Sequence, residues 1–231
     1  MSEDATLAIL RTRLQQLGYG TDTATAQTSM INAAYRRLIG MRRWWFLEVV
    51  NNQALTCTAG TQSYDIDATV TDFLHIDGVR LEFSTTYLDP LKYLQPTAFF
   101  ELAHLDRANA EPQYWTRVND KLYLHPRPDK AYTIDLDYVK DPSALSADAD
   151  KPVIPAAYRD ILVWDAVRMI AFRERDTAGW SLANTQYLEV LGDMIRQDGL
   201  EQRRTAQEVV RTYELDEVND SLVGGTPWPT Y

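Results

Sequence analysis

The sequence predicts an α+β protein with a helical bundle body, an inserted antiparallel β-rich subdomain and an extended C-terminal tail. Three observations predict it. Apolar residues recur at steps of three and four near both ends of the chain, the period of an amphipathic helix. Between about residues 51 and 150 the apolar period drops to two, the mark of half-buried strands. The stretch from Gly224 to Tyr231 holds two glycines and two prolines, which disfavours a regular element. The expected boundaries are 1–50 with 151–207 for the body, 51–150 for the β subdomain and 208–231 for the tail. Neither helical half can bury its apolar stripe alone, so the two halves are expected to pack together.

The first helix carries Leu7, Leu10, Leu14 and Leu17 on one stripe. Ser2 or Asp4 is placed to cap it, and Gly18 and Gly20 end it. A second helix over 25–43 gathers Ile31, Ala34, Tyr35, Leu38 and Met41 on one face. Arg36, Arg37, Arg42 and Arg43 decorate the remainder, before the aromatic run Trp44-Trp45-Phe46-Leu47.

Short strands are expected over 53–58 and 63–66, joined by Ala59-Gly60-Thr61-Gln62. In the segment 73–82, Asp77-Gly78 is compatible with a two-residue hairpin turn or with a bulge in one longer strand. A short helix follows over 96–105, with Phe99, Phe100 and Leu102 as packing groups. The segments 114–118 and 121–125 flank Asn119-Asp120 as a second hairpin. In 132–139, Tyr132, Ile134, Leu136 and Tyr138 share one face, while Thr133, Asp135, Asp137 and Val139 form a wetter one.

A polar connector over 141–155 leads into an apolar helix running to about Arg175. Pro155 suits its first turn. Its apolar residues cover more than one face, which predicts contact with its own core and with a neighbouring subunit. Another helix spans 180–204, weakened by Gly192 and Gly199. Beyond it the charged segment 208–220 contains Val209, Val210, Tyr213, Leu215 and Val218, and Trp228 and Tyr231 sit near the end. Ordering about 25 such residues costs on the order of 25–50 kcal/mol. Offsetting that cost takes roughly 1,000–2,000 Å² of apolar burial. The tail is therefore expected to be mobile in the free subunit and ordered on a partner.

Composition narrows the function classes. A net charge of −10 lacks the basic signature of a sequence-reading nucleic-acid binder. It is compatible with enclosing DNA without gripping it. Hydrophobic residues make up 45%, enough for a core, and 13 Tyr and 6 Trp suit wet interfaces. Cys57 is the single cysteine, so no disulfide within the chain and no thiolate cluster can form; this fits assembly in a reducing cytoplasm. The acidic start, Met1-Ser2-Glu3-Asp4, lacks a signal core. No stretch approaches the roughly 18 apolar residues of a membrane span. A soluble protein made in the cytoplasm is expected.

A search for chemistry finds no catalytic, cofactor or metal set. His75, His104 and His125 belong to no HExxH motif, and neither a nucleophile elbow nor a phosphate loop occurs. His125 reads as a polar residue beside a turn. Asp135 with Asp137, and Asp148 with Asp150, read as solvated carboxylates, because a hard cation needs more converging oxygens. For the arginine cluster, pairing with a neighbour's carboxylates is favoured over DNA contact.

Several segments together resemble the head-to-tail adaptor (connector) proteins of tailed phages. They are Ile31-Asn32-Ala33-Ala34-Tyr35-Arg36-Arg37-Leu38 leading to Trp45-Phe46-Leu47, then Ala59 to Ile66, then Pro112 to Tyr138, and Asp150 to Asp160. The resemblance spans about residues 25–175 and rests on the order and spacing of these pieces. It implies a homo-oligomeric ring, usually a dodecamer, docked beneath the portal protein in the neck of the virion after assembly in the host cytoplasm. Such a ring extends the DNA channel and receives a downstream tail or nozzle protein. Double-stranded DNA passes through the lumen without sequence-specific binding, and no membrane is involved. Twelve copies at −10 each carry a formal charge of about −120, a poor surface for DNA to adhere to. The residues expected at the portal or subunit interface are Val209, Val210, Tyr213, Leu215, Trp228 and Tyr231, with Arg36, Arg37, Arg42 and Arg43. The alternatives are a neck or tail-completion protein, a ligand- or glycan-binding module using the β insertion, and a hydrolase built on Asp135 and Asp137.

Overall fold

The computed structural model describes residues 5–19, 23–68, 70–84, 87–105 and 108–223. The α+β class holds. Two compact units are present: residues 1–45 with 145–231, and residues 46–144.

The helical unit contains α1 (Leu7–Gln16), α2 (Ala24–Met41), α4 (Asp160–Glu174) and α5 (Thr177–Val223). Leu7, Leu10 and Leu14 of α1 are fully buried, as are Ile31 and, nearly, Leu38 of α2. The expected caps of α1 lie outside the described residues. Thr6 precedes the helix and makes no side-chain cap bond. The N–H groups of Leu7 and Ala8 donate instead to the carbonyls of Asp150 (2.9 Å) and Asp148 (3.1 Å). Helix termini leave such donors orphaned, so the connector stands in for the missing cap. At α2 the hydroxyl of Thr23 accepts from the Ala26 N–H at 3.3 Å.

The 141–155 connector is thus more than a polar spacer. Leu145 is buried, and Asn32 bonds both its N–H and its carbonyl. Asp150 accepts from the N–H groups of Ser146 (2.6 Å) and Ala147 (2.7 Å), folding the connector back on itself. The Tyr35 hydroxyl accepts from the Val153 N–H at 2.9 Å.

Helix α4 begins after a short 3-10 turn, Ala156–Tyr158, and packs against α1, α2 and α5. Its apolar faces are largely covered inside the chain: Ile161, Leu162, Val163, Ala166, Val167, Ile170 and Ala171 are buried, while Phe172 stands 78% exposed. Arg175 ends the helix in a left-handed conformation (φ 61°), and the Asp176 N–H returns to the Ala171 carbonyl at 2.9 Å. Asp176 then caps α5 by accepting from the Gly179 N–H at 2.9 Å, and it takes the Tyr19 hydroxyl at 2.7 Å. A Cβ at Gly179 would lie 1.8 Å from the Tyr19 oxygen, so this close approach requires glycine.

Helix α5 has 47 residues, about 70 Å at 1.5 Å per residue. Sequence reasoning ends the helix near 204 and expects extended chain over 208–231. The backbone is helical through Val223 instead. The reason is local: no glycine or proline interrupts the chain between Gly199 and Gly224, and Glu, Gln, Arg and Leu favour the helix. Residues 224–231, with Trp228 and Tyr231, lie outside the described residues.

The second unit is a sandwich of two four-stranded sheets. Its strands are β1 (Glu48–Cys57), β2 (Ser63–Asp65), β3 (Phe73–Ser84), β4 (Tyr87–Pro90), β5 (Lys92–Tyr93), β6 (Tyr114–Val118), β7 (Lys121–His125) and β8 (Tyr132–Lys140). Helix α3 (Pro96–Leu105) packs on β6. The strand orders are β1-β8-β3-β4 and β2-β7-β6-β5. All pairings are antiparallel except β5 with β6. Ile76, Val79, Leu81, Ile134 and Leu136 of one sheet and Trp115, Leu122 and Leu124 of the other share one buried cluster.

Asp77-Gly78 is a bulge within β3, because Ile76 pairs with Tyr138 and Gly78 with Asp137, leaving Asp77 as the extra residue. A Cβ at Gly78 would stand 3.0 Å from the Asp137 carboxylate, which pairs with Arg80. Asn119-Asp120 forms the expected two-residue hairpin, with Asn119 at φ 55°.

Candidate interaction surfaces

Of the carboxylates considered at the sequence level, Asp135 is not solvated. It is 7% exposed, and burial pushes its carboxyl above the usual range, with Glu82 adding repulsion and Arg80 opposing both. Asp137 is ion-paired with Arg80 and Asp148 with Arg11. Asp150 is held below the usual range by the N–H bonds from Ser146 and Ala147. Among the described residues, no group of three or more His, Cys, Asp or Glu is placed to hold a metal ion. His125 ends β7 just before a bend at Pro126, and it is buried among rings, with Phe99 at 6.0 Å and Tyr114 stacked at 6.4 Å. The Cys57 thiol is buried and pushed up to about 12, which leaves it unreactive. No helix among the described residues is long and apolar enough to cross a membrane.

The arginine cluster divides. Arg37 donates to both oxygens of Asp165 at 3.1 Å, and Arg42 pairs with Asp198 while its guanidinium lies 5.4 Å from the Trp44 ring centre. These two find their carboxylates inside the chain. Arg36 is exposed within α2 and Arg43 is exposed just beyond its end, and Arg43 has a partner of its own.

Asp165 and Asp198 are residues that sequence reasoning passed over. Asp165 is 2% exposed between Arg37 and Arg168, and Arg168 in turn lies 4.2 Å from the Tyr187 ring centre. Burial raises the Asp165 carboxyl, and the two arginines offset part of that rise. Asp198 is fully buried and accepts the Trp45 N–H at 3.0 Å. The available signal was a carboxylate set inside an apolar run, as in Val163-Trp164-Asp165-Ala166-Val167.

Two hollows remain. In the β unit, one of about 570 Å³ is lined by His75, Asp77, Tyr93, Trp115 and Arg117. Tyr93 is half-exposed against the buried Trp115, ring centres 4.9 Å apart. Arg117 there is largely engaged: it donates to the carbonyls of Asn119 (2.7 Å) and Leu74 (3.3 Å) and stacks on Phe73. In the helical unit, an apolar hollow of about 420 Å³ lies at the α4–α5 corner, lined by Ala171, Phe172, Thr177 and Trp180. Exposed apolar residues continue from it along α5, at Leu188 (54%) and Ile195 (42%). Val209, Val210, Tyr213 and Leu215, expected at an interface, are carried further along the same helix.

Among the described residues, exposed apolar side chains stand at the α4–α5 corner and along α5. Compared with known families, residues 5–212 match the SU10 adaptor protein family. No curated protein matches the chain.

Proposed function

We propose, from the premise that this chain belongs to the SU10 adaptor protein family, a family of phage adaptors, that it works as a structural, non-enzymatic head-to-tail adaptor. Copies form a ring, a dodecamer by family resemblance, beneath the portal protein in the neck of the virion. The ring lengthens the DNA channel and offers a platform to a downstream tail protein. The observation that carries this reading is α5. It is 47 residues long, while its intrachain partner α4 has 15. Its far end, with Val209, Val210, Tyr213 and Leu215, is suited to reach a partner. The acidic surface disfavours adhesion of DNA inside a lumen.

The test is electron microscopy of the purified chain mixed with its portal, against a version ending at Gln207. Rings capping the portal are expected with the full chain only. Equal docking of the shortened chain, or binding to the tail tube instead of the portal, would overturn the reading and favour a tail-side neck protein.

A further inference from the structure

The hollow of the β unit carries polar groups that the fold leaves unused. Its walls come from both sheets: His75 and Asp77 from β3, Tyr93 from β5, Trp115 and Arg117 from β6, with Asn119 in the hairpin turn that follows. Its volume of about 570 Å³ lies within the roughly 300–1,000 Å³ of small-ligand sites. A bulge re-aims the side chains of its strand. Here the extra residue is Asp77, whose carboxylate stands 3.5 Å from His75 Nε2 in the same wall. Trp115 is 4% exposed and belongs to the core of this unit, yet its indole N–H donates to no group among the described residues. An indole is a donor only, and a buried one ordinarily finds an acceptor. The Tyr93 hydroxyl and the Asn119 side-chain amide are likewise without hydrogen-bond partners among the described residues. The Tyr93 ring packs on Trp115 at an interplanar angle of 63° and stays 49% exposed, so the hollow has a fixed aromatic surface.

These groups select a ligand class. A phosphate or carboxylate needs an available cation. Arg117 is already engaged by the carbonyls of Asn119 and Leu74, the Phe73 ring and, at 3.8 Å, Asp120, while Asp77 repels an anion. A purely apolar ligand would leave the indole N–H, the phenol and the amide unsatisfied. A sugar ring matches both requirements. Its hydroxyls donate and accept, and its C–H groups pack on the negative face of an aromatic ring. The geometry points to a binding site for a neutral saccharide. Tyr93 is the stacking surface, Trp115 donates to a hydroxyl oxygen, and Asn119 and the Asp77 carboxylate take further hydroxyls. The site lies wholly within residues 46–144 and stands apart from the portal reading.

Saturation-transfer difference NMR on the full chain, titrated in turn with maltotriose, cellotriose and tri-N-acetylchitotriose, tests this. Saturable binding of at least one trisaccharide is expected, and inorganic phosphate should not displace it. Tyr93→Ala, at an exposed position, should weaken binding about tenfold or more. Asn119 has φ 55°, so Asn119→Gly keeps the hairpin and the carbonyl that Arg117 uses while removing the amide. It should weaken binding about two- to tenfold. Trp115→Phe keeps a ring in the core and removes the donor, with a loss of about the same size. Phe100→Ala, in the separate hollow beside α3, should change nothing. The inference is overturned if no trisaccharide binds, if Tyr93→Ala and Asn119→Gly bind like the parent, or if phosphate competes. Binding of an oligoproline peptide in place of the sugars would assign the hollow to a protein segment instead.

Discussion

Asn32 clamps Leu145 from both sides: its side-chain amide donates to the Leu145 carbonyl at 2.8 Å, and its Oδ1 accepts the Leu145 N–H at 2.9 Å. One α2 side chain thus satisfies two backbone groups of the connector next to the buried Leu145. Leaving such groups unpaired carries most of the cost of losing a hydrogen bond. Asn32→Ala should therefore destabilise the protein by on the order of 2 kcal/mol. Asn32→Asp keeps the acceptor and loses the donor, so it should fall between the two in a urea titration.

Asp150 should govern part of the acid limb of stability. Its carboxylate is held below the usual range by the N–H groups of Ser146 and Ala147. A depressed native value means that the contribution is present above the ordinary aspartate pKa of about 3.9 and is lost as pH falls through the native value. Asp150→Asn keeps an acceptor oxygen and removes the titration. Urea midpoints measured down an acid series should fall less steeply for this variant than for the parent.

Asp135 should act with the opposite sign. Burial, then repulsion from Glu82, raises its carboxyl. Protonation therefore favours the folded state, and this contribution fades as pH rises through the raised native value. Asp135→Asn should be more stable than the parent at neutral pH, and the advantage should shrink on acidification. A constant difference across the series would contradict this.

Arg175 holds a left-handed conformation, φ 61° and ψ 27°, at the α4 C-terminus. A side chain there costs roughly 1–2 kcal/mol, partly regained through the lower chain entropy of a non-glycine residue when unfolded. Arg175→Gly should raise thermal stability by about 1 kcal/mol or less. Differential scanning calorimetry gives the answer directly.

Legibility in the sequence followed the range of the interaction. The elements 96–105, 114–118 and 121–125 were readable to their ends, since periodicity and turn chemistry act over a few residues. The strands Tyr87–Pro90 and Lys92–Tyr93 were not, because elements of four and two residues exist only through the neighbours they pair with. The helix through Val223 is hidden from a composition argument because the glycines and prolines at 224–229 act only on their own positions, while uninterrupted helix formers precede them. At the surfaces, Val209, Val210 and Tyr213 could be singled out by type, but the hollow at Phe172 and Trp180 could not, since it is made by the corner between two helices.

The sequence by itself determined the α+β class, the order of the helices and of six of the eight strands, the resemblance to phage adaptors, and the net acidic charge. Those rest on composition and on periods of 2 and 3.6, which are local. Only the tertiary structure decided that Arg37 and Arg42 pair with Asp165 and Asp198 inside the chain, and that Asp135 and His125 are buried. It also decided that one face of α5 remains open while its neighbour is packed. Burial depends on residues more than a hundred positions apart, as for Arg37 and Asp165, and no local period records that.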